Sequence, residues 1–380
     1  MRNYRVPFAG LPQQSAHIKR ELLAAFEGVL DSGQYILGPN LKTFEEQFAN
    51  LCGSTFAVGV ANGTCALHLV WLALGLGPGD EVITASNSFL ATASAIALTG
   101  ATPVFVDIGP DLNIDPSLIE AAITPRTKGI VPVHLTGRLA QMPEINRIAE
   151  KHGLFVLEDA AQAVGASRDG RRAGAWGNAA GFSLHPLKNL FAYGDGGVIT
   201  TSDAGLRDKL VQARNHGLRD RERCDFWSYN SRLDELQAAL LLIHMNVLQE
   251  RTERRRVVAD RYNNGLGSIV TVPTEAPGEY CVYQTYMIQA DNRNELQEFL
   301  QANGVEALTH YRTPIHLQAA AASLGYTAYD LPQTVRACER ILSLPIYPDM
   351  EREQQDLVIG LIHEFFSKHP KGRMEGVQSA

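Results

Sequence analysis

The sequence predicts an α/β fold: a mostly parallel sheet of about seven strands flanked by helices, followed by a smaller C-terminal α+β domain. Three observations carry this. Between residues 56 and 201, apolar runs of strand length alternate with segments of helical periodicity, the pattern of repeated βαβ units. Runs such as LFVL at 154–157 are apolar throughout, as strands covered on both faces are. With 380 residues, 45% of them hydrophobic, the chain can fill more than one core, and its character changes near residue 250. The predicted division is a large domain with an N-terminal arm over 1–250 and a small domain over 251–380.

In order along the chain, 7–11 reads as an irregular arm, and 18–30 as a helix with Ile18, Leu22, Leu23, Phe26 and Leu30 on one face. A turn at 32–39 precedes a second helix at 41–52. Strands follow at 56–60, 81–84, 103–107 and 129–134, with helices at 64–76, 89–98 and 142–152 between them. Further strands are expected over 154–157, 179–184 and 198–201. Within 226–242, Asn230 or Ser231 is positioned to cap a helix whose Leu233, Leu236, Leu240 and Ile243 recur at helical spacing. The basic cluster at 251–256 reads as a solvated helix face. Beyond a Gly- and Pro-bearing stretch at 265–278 lie a strand at 281–289, a helix at 295–302 and a striped helix at 356–366. The tail from residue 371 is predicted to be disordered.

Composition excludes several functions. The net charge of −7 is spread without blocks, which favours neither nucleic acid nor an anionic membrane surface as a partner. The five cysteines are scattered and form no CxxC pair, so neither a disulfide framework nor a metal site is expected, and a cytoplasmic location fits. No signal pattern and no apolar run of about 20 residues is present, so neither export nor membrane insertion is predicted.

Several short stretches carry chemistry. In GFSLHPLKNLFAYGDGGVITT, 181–201, a small-residue strand enters a polar turn with His185, Lys188 and Asn189, and a Gly-rich reversal opens the next strand. Lys188 is thereby displayed on a tight connection. An amine held there against a carbonyl can form a Schiff base with a cofactor such as pyridoxal phosphate; the plain alternative is a solvated surface lysine. Upstream, LFVLEDAAQAVGA is a buried strand ending on Glu158 and Asp159. Ligands bind at the carboxyl ends of strands in open α/β sheets, so Asp159 can reach a cofactor ring and keep a pyridine nitrogen protonated. In ANGTCALHLVWLAL, Asn62 and Gly63 lead into a helix whose first amides suit a phosphate, or serve only as a turn and cap. Phe89, just past a strand end, suits either stacking on a planar ring or burial in the core. Asn230 and Arg232, at a helix start, suit an anion.

In this order the stretches resemble the DegT/StrS family of sugar aminotransferases, pyridoxal-phosphate enzymes of fold type I. The resemblance covers nearly the whole length, through SGQYILGP, ANGTCALHLVWLALGLGPGDEVI, TPVFVDI, VPVHLTG, EDAAQAVGA, FSLHPLKNL, GDGGVITT, NSRLDELQAA and ILSLPIYPDM. It implies that Lys188 is the Schiff-base lysine, that Asp159 partners the pyridine nitrogen, that Gln162 bonds the phenolic oxygen, and that Phe89 stacks on the ring. It implies a phosphate held by the Gly63 and Thr64 amides, the Ser183 hydroxyl and Asn230 of a neighbouring subunit, in a homodimer with shared active sites. The implied reaction moves an amino group from glutamate or glutamine to a keto sugar, a nucleotide-linked 3- or 4-keto-6-deoxy sugar, in amino-sugar or polysaccharide biosynthesis. A keto-cyclitol acceptor and a non-catalytic, cofactor-binding regulator are the alternatives. The joint presence of Lys188, Asp159 and Gln162 favours a catalyst, and lysine rather than histidine at 188 argues against the family's dehydratase branch. His185, Tyr311 and His316 are candidate substrate contacts, with a structural role equally open for His316. Thr136, Phe89 in place of a tryptophan, and the Trp227–Ser228 pair depart from the family pattern and bear on substrate identity.

Overall fold

The structure, a computed structural model, describes residues 4–368, so the tail predicted from residue 371 lies outside it. Helices α1 (Leu11–Ala16), α2 (Lys19–Ser32) and α3 (Pro39–Cys52) precede the first strand. The chain then runs β1 (Phe56–Val60), α4 (Gly63–Ala73), β2 (Glu81–Ala85), α5 (Ala91–Ala97), β3 (Thr102–Val106), β4 (Thr127–Val131), α6 (Met142–His152) and β5 (Phe155–Asp159). A hairpin of β6 (Ser167–Arg168) and β7 (Arg171–Arg172) leads to β8 (Ala179–Ser183) and β9 (Gly197–Thr201). The hairpin was not foreseen, because two-residue strands carry no periodicity. The main sheet has seven strands in the order β1-β9-β8-β5-β4-β2-β3. Only β9 runs antiparallel to its neighbours.

Both faces of this sheet are covered, which is why its strands read as continuous apolar runs. Successive residues of β8 serve opposite cores. Ala180 and Phe182 pack with Phe44 and Phe48 of α3, whereas Ala179 packs with Leu67 and Trp71 of α4. Phe182 is fully buried and meets Phe48 edge-on with 5.0 Å between ring centroids. Truncating such a ring to alanine costs about 3–5 kcal/mol.

Helices α7 (Ala204–Ala213) and α8 (Glu235–Leu266) follow, then β10 (Glu279–Tyr280), β11 (Tyr286–Gln289), α9 (Arg293–Ala302), α10 (Pro332–Arg340), β12 (Ile341–Leu344) and α11 (Arg352–Lys368). A second core gathers Tyr262, Tyr286, Leu296, Leu342, Ile362 and Phe365 around the antiparallel β11–β12 pair. The N-terminal arm is stitched to this region: the Val6 amide donates to the Gly304 carbonyl at 3.0 Å, and the Glu306 amide to Val6 at 2.9 Å. The division placed at 250/251 falls inside α8, whose 32 residues contribute to both cores. Among the described residues no helix is long and apolar enough to cross a membrane.

Three sequence readings are corrected. The arginine cluster is not a solvated face. Arg251 and Arg255 are 9% and 3% exposed, and Arg255 donates to the Ile346 carbonyl at 2.8 Å. Arg251 donates to Nδ1 of His244 and to the Gln14 carbonyl, while Arg256 bonds Glu275 and lies 4.4 Å over the Tyr280 ring. The charges on these turns are satisfied by the Gln14 and Ile346 carbonyls, the His244 ring and the Glu275 carboxylate, all brought in from outside the cluster. The second correction concerns the start of α8. It begins at Glu235, and Asn230 instead sits in an exposed bridge with Asn215. Glu235 meanwhile accepts the Gly38, Asn40 and Leu41 amides, capping α3 from a distance in sequence. Third, the buried face of α2 is rotated from the expected one. Leu22 and Val29 are buried, whereas Leu23, Phe26 and Leu30 are 61%, 40% and 53% exposed.

Candidate active site

The candidate site forms where β5 and β8 end side by side, with Asp159 opposite Gly181 in the pairing. Consecutive strand residues face opposite ways, and the two acids that end β5 take different roles. Glu158, fully buried, accepts from Nε2 of His134 at 2.9 Å and from the Gly174, Trp176 and Gly177 amides at 2.9, 2.8 and 2.7 Å. Its acceptor capacity is used for structure. Asp159 accepts from the Thr92 hydroxyl at 2.6 Å on one oxygen and from the Ala161 amide at 3.2 Å on the other. With one donor on each oxygen it keeps room for a further partner. Ser88 Oγ lies 2.8 Å from Thr92 Oγ1, and since Thr92 gives its proton to Asp159, Ser88 donates to Thr92. Burial raises the Asp159 pKa, against the pull of the Thr92 and Ala161 bonds and of the Lys188 charge.

Lys188 follows β8 in a turn closed by its own amide, which donates to the His185 carbonyl at 2.8 Å. The side chain is half-buried, and burial lowers its pKa to about 8, with the Asp159 carboxylate acting in the opposite direction. At that value about a tenth of the amine is unprotonated at pH 7, against well under a thousandth at an ordinary lysine. The charges of the two groups act on one another, so amine and carboxylate lie within electrostatic reach.

Gln162 joins them. Its Oε1 accepts the Thr136 amide at 2.7 Å, which commits the other end of the side chain to donating. The Tyr311 ring stands 5.6 Å from Phe89, whose own ring is 53% exposed rather than buried in the core. Burial and the Asp159 charge push the Tyr311 hydroxyl well above its usual range, while burial and Lys188 push His310 down to about 4.

On the other flank, α4 begins against β8. Asn62 caps it, accepting from the Cys65 amide at 2.9 Å, and the Asn62 carbonyl takes the Ala66 amide. The Gly63 and Thr64 amides are left to bind something else. Only glycine fits at 63: a Cβ there would stand 2.8 Å from Cβ of Ser183. Gly197 is equally constrained, since its Cβ would come within 2.4 Å of the Asn62 carbonyl. This close approach brings two free amides and the Ser183 hydroxyl together at a helix N-terminus, a cradle suited to a phosphate. The residues thus fit pyridoxal phosphate: amides and a hydroxyl suited to its phosphate, a buried carboxylate and an amine of lowered pKa.

The remaining candidates are placed as follows. His185 is exposed, and its Nδ1 accepts the Leu187 amide at 3.2 Å, so that nitrogen shapes the lysine turn. His316 is 2% exposed and packs on Ser86, just past β2, with Nδ1 to Oγ at 2.7 Å. Asn230 is exposed on its bridge with Asn215. Sequence reasoning missed Thr92 and the Thr136 amide. A hydroxyl three residues beyond Phe89, on the first turn of a helix, was the available signal for Thr92; a backbone amide leaves none.

The model of the DegT/DnrJ/EryC1/StrS aminotransferase family matches residues 16–363. A Geobacillus stearothermophilus protein named a pleiotropic regulatory protein is 44% identical over 95% of this chain and 98% of its own. The dTDP-3-amino-3,4,6-trideoxy-alpha-D-glucose transaminase of Streptomyces venezuelae is 43% identical over 95% of this chain and 96% of its own. Among solved structures, S. venezuelae DesV superposes with a TM-score of 0.93 at 43% identity, over 95% of this chain and 98% of that one. NtdA of Bacillus subtilis, solved with bound cofactor PMP, superposes at 0.90 with 31% identity, over 97% and 86%.

Proposed function

Given that the chain belongs to the DegT/DnrJ/EryC1/StrS aminotransferase family and is a pyridoxal-phosphate-dependent transaminase of fold type I, we propose that it moves an amino group from glutamate or glutamine to a nucleotide-linked keto sugar. The observation that carries this reading is an amine of lowered pKa, Lys188, within electrostatic reach of a buried carboxylate, Asp159.

Bound in the site, the cofactor supplies a reactive carbonyl and a conjugated ring that can take up an electron pair. The Gly63 and Thr64 amides and the Ser183 hydroxyl hold its phosphate, and Phe89 covers its ring. Asp159 holds a proton on the ring nitrogen; a carboxylate this buried is most stable against a cation, so the pair is favoured over either group alone. Gln162, its carbonyl end fixed by Thr136, donates to the phenolic oxygen. Lys188 acts twice. As free amine it would bond to the cofactor's carbonyl carbon with loss of water, and when released by the amino donor it would carry a proton from the donor's α-carbon to the cofactor carbon two bonds away. A pKa of about 8 lets it do both near neutrality. The acceptor is aminated by the same steps in reverse.

The protein works as a homodimer in the cytoplasm. Leu23, Phe26 and Leu30 on α2, with Ile36 and Leu37 beyond it, are each at least 40% exposed, an apolar surface that a second copy would cover. Asn230 of one copy completes the phosphate cradle of the other. A regulatory reading draws on the name of the Geobacillus relative. A sensor needs the phosphate cradle but not an amine of lowered pKa opposite a buried carboxylate, so the site favours turnover. The acceptor is tested by offering amine-loaded protein a dTDP- or UDP-linked keto sugar, the free keto sugar and a keto-cyclitol. Regeneration of the carbonyl form by the nucleotide-linked sugar at the lowest concentration is expected; preference for the cyclitol would overturn the assignment.

A further inference from the structure

Lys188 has a flexible side chain, so where its amine stands depends first on how firmly its backbone is held. The turn itself supplies one bond, from the Lys188 amide to the His185 carbonyl at 2.8 Å. The peptide groups on either side of Lys188 are held by a single side chain from a remote part of the sequence. Nε2 of Gln284 donates to the Leu187 carbonyl at 2.7 Å, and Oε1 of the same amide accepts from the Asn189 amide at 2.9 Å. A primary amide offers one donor and one acceptor side by side, and here they meet the carbonyl before Lys188 and the N–H after it, as a partner strand would. Gln284 is 9% exposed, so water competes little for these bonds. The neighbouring Val282 carbonyl adds a third tie, accepting from the Asn189 side chain at 2.9 Å.

The segment carrying Gln284 is itself bonded to the other wall of the cavity. The Val282 amide donates to the Gly137 carbonyl at 3.0 Å, next to Thr136, whose amide holds Gln162 at 2.7 Å. One short stretch between β10 and β11 therefore touches both the lysine turn and the loop that aims Gln162.

We propose that Gln284 is a positioning residue: it clamps the backbone on both sides of Lys188 and, through the 282–285 segment, sets the amine's place relative to Gln162. The role rests on reading Lys188 as the reacting amine. Gln284 touches neither the cofactor nor the substrate in this role.

The test uses Gln284→Met, of similar length but unable to make either bond, and Gln284→Glu, which keeps only the acceptor toward Asn189. In the cofactor-free protein, hydrogen exchange of a peptide spanning 187–190 is expected to quicken about tenfold or more in Gln284→Met, with Gln284→Glu restoring protection at Asn189. In the loaded protein, the midpoint of the pH titration of the visible absorbance is expected to move, and the donor half-reaction to slow about tenfold to a hundredfold with donor affinity within about twofold. Unchanged exchange at 187–190 would overturn the clamp, whatever the activity. A lowered melting temperature with an unmoved midpoint and an unchanged half-reaction would reduce Gln284 to a packing residue and overturn its positioning role. Lys188→Ala separates the two readings: if it retains turnover, the reading of Lys188 fails even where the exchange result stands.

Discussion

The inner and outer walls of the candidate site are built in opposite ways. On the inner wall, several side chains are held by fixed neighbours: Asp159 has Thr92 and Ala161, Gln162 has Thr136, and Ser183 lies against a glycine that no other residue could replace. On the outer side, the segment leading to Asn230 carries Trp227 at 91% exposure and Tyr229 at 56%. Groups that must hold their place to within fractions of an ångström sit on strand ends and buried hydrogen bonds, whereas large rings left in water are surfaces awaiting something to cover them.

The sharpest way to break this contrast is to take one group from each wall. Lys188→Ala is expected to abolish turnover and the visible absorbance of the loaded protein while leaving the fold intact, because only a side chain is shortened. Asn230→Ala is expected to weaken cofactor binding but spare the amine. If the outer residue serves the neighbouring copy, mixing the two inactive or weakened variants should recover activity in heterodimers having one intact site, as measured by initial rate against mixing ratio. No recovery above either parent would place Asn230 in its own copy's site.

A smaller effect is expected from Asp159→Asn. The substitution keeps the Thr92 contact geometry but removes the charge that holds a proton on the ring. The donor half-reaction should slow about a hundredfold or more in stopped-flow absorbance, with cofactor affinity changed far less. Equal losses in both would mean that Asp159 anchors the cofactor and does nothing further.

What was legible in the sequence divides along the same line. Lys188, Asp159 and Gly63 were flagged by local signals, a Gly-rich turn, an acid ending an apolar run and a small-residue helix start, each beside a plain alternative, whereas Ser183 entered only through the family resemblance. Thr92 acts across 67 residues and Gln284 across 95, and no local pattern records such a meeting. Arg251 and Arg255 were misread for a related reason. A run of charges looks solvated until its partners are known, and here the Gln14 and Ile346 carbonyls, both distant in sequence, take the Arg251 and Arg255 guanidinium groups. The face of α2 was misjudged because its apolar residues exceed what one buried stripe can hold; Leu23, Phe26 and Leu30 are the surplus.

The smallest effect concerns stability. In the cofactor-free fold the Lys188 pKa is lowered to about 8 from 10.5. Below pH 8 the amine is protonated in both the folded and unfolded states, and the fold bears the cost of burying it. Between about pH 8 and 10.5 the unfolded chain binds more protons, so stability rises with pH across that window. Cofactor-free Lys188→Met should therefore melt higher than the parent at pH 7, with the gap closing as pH rises toward 10.5. A gap independent of pH would mean the amine is not strained by burial.

The central claim, that Lys188 and Asp159 form a transaminase centre, is tested most directly by the visible spectrum of the cofactor-loaded protein before and after glutamate or glutamine is added, with no sugar present. Loss of the lysine-bound cofactor's visible band, together with release of the matching 2-oxo acid, is the expected result. A band that neither donor alters would contradict the donor assignment, and the lack of any band after loading would contradict the role given to Lys188.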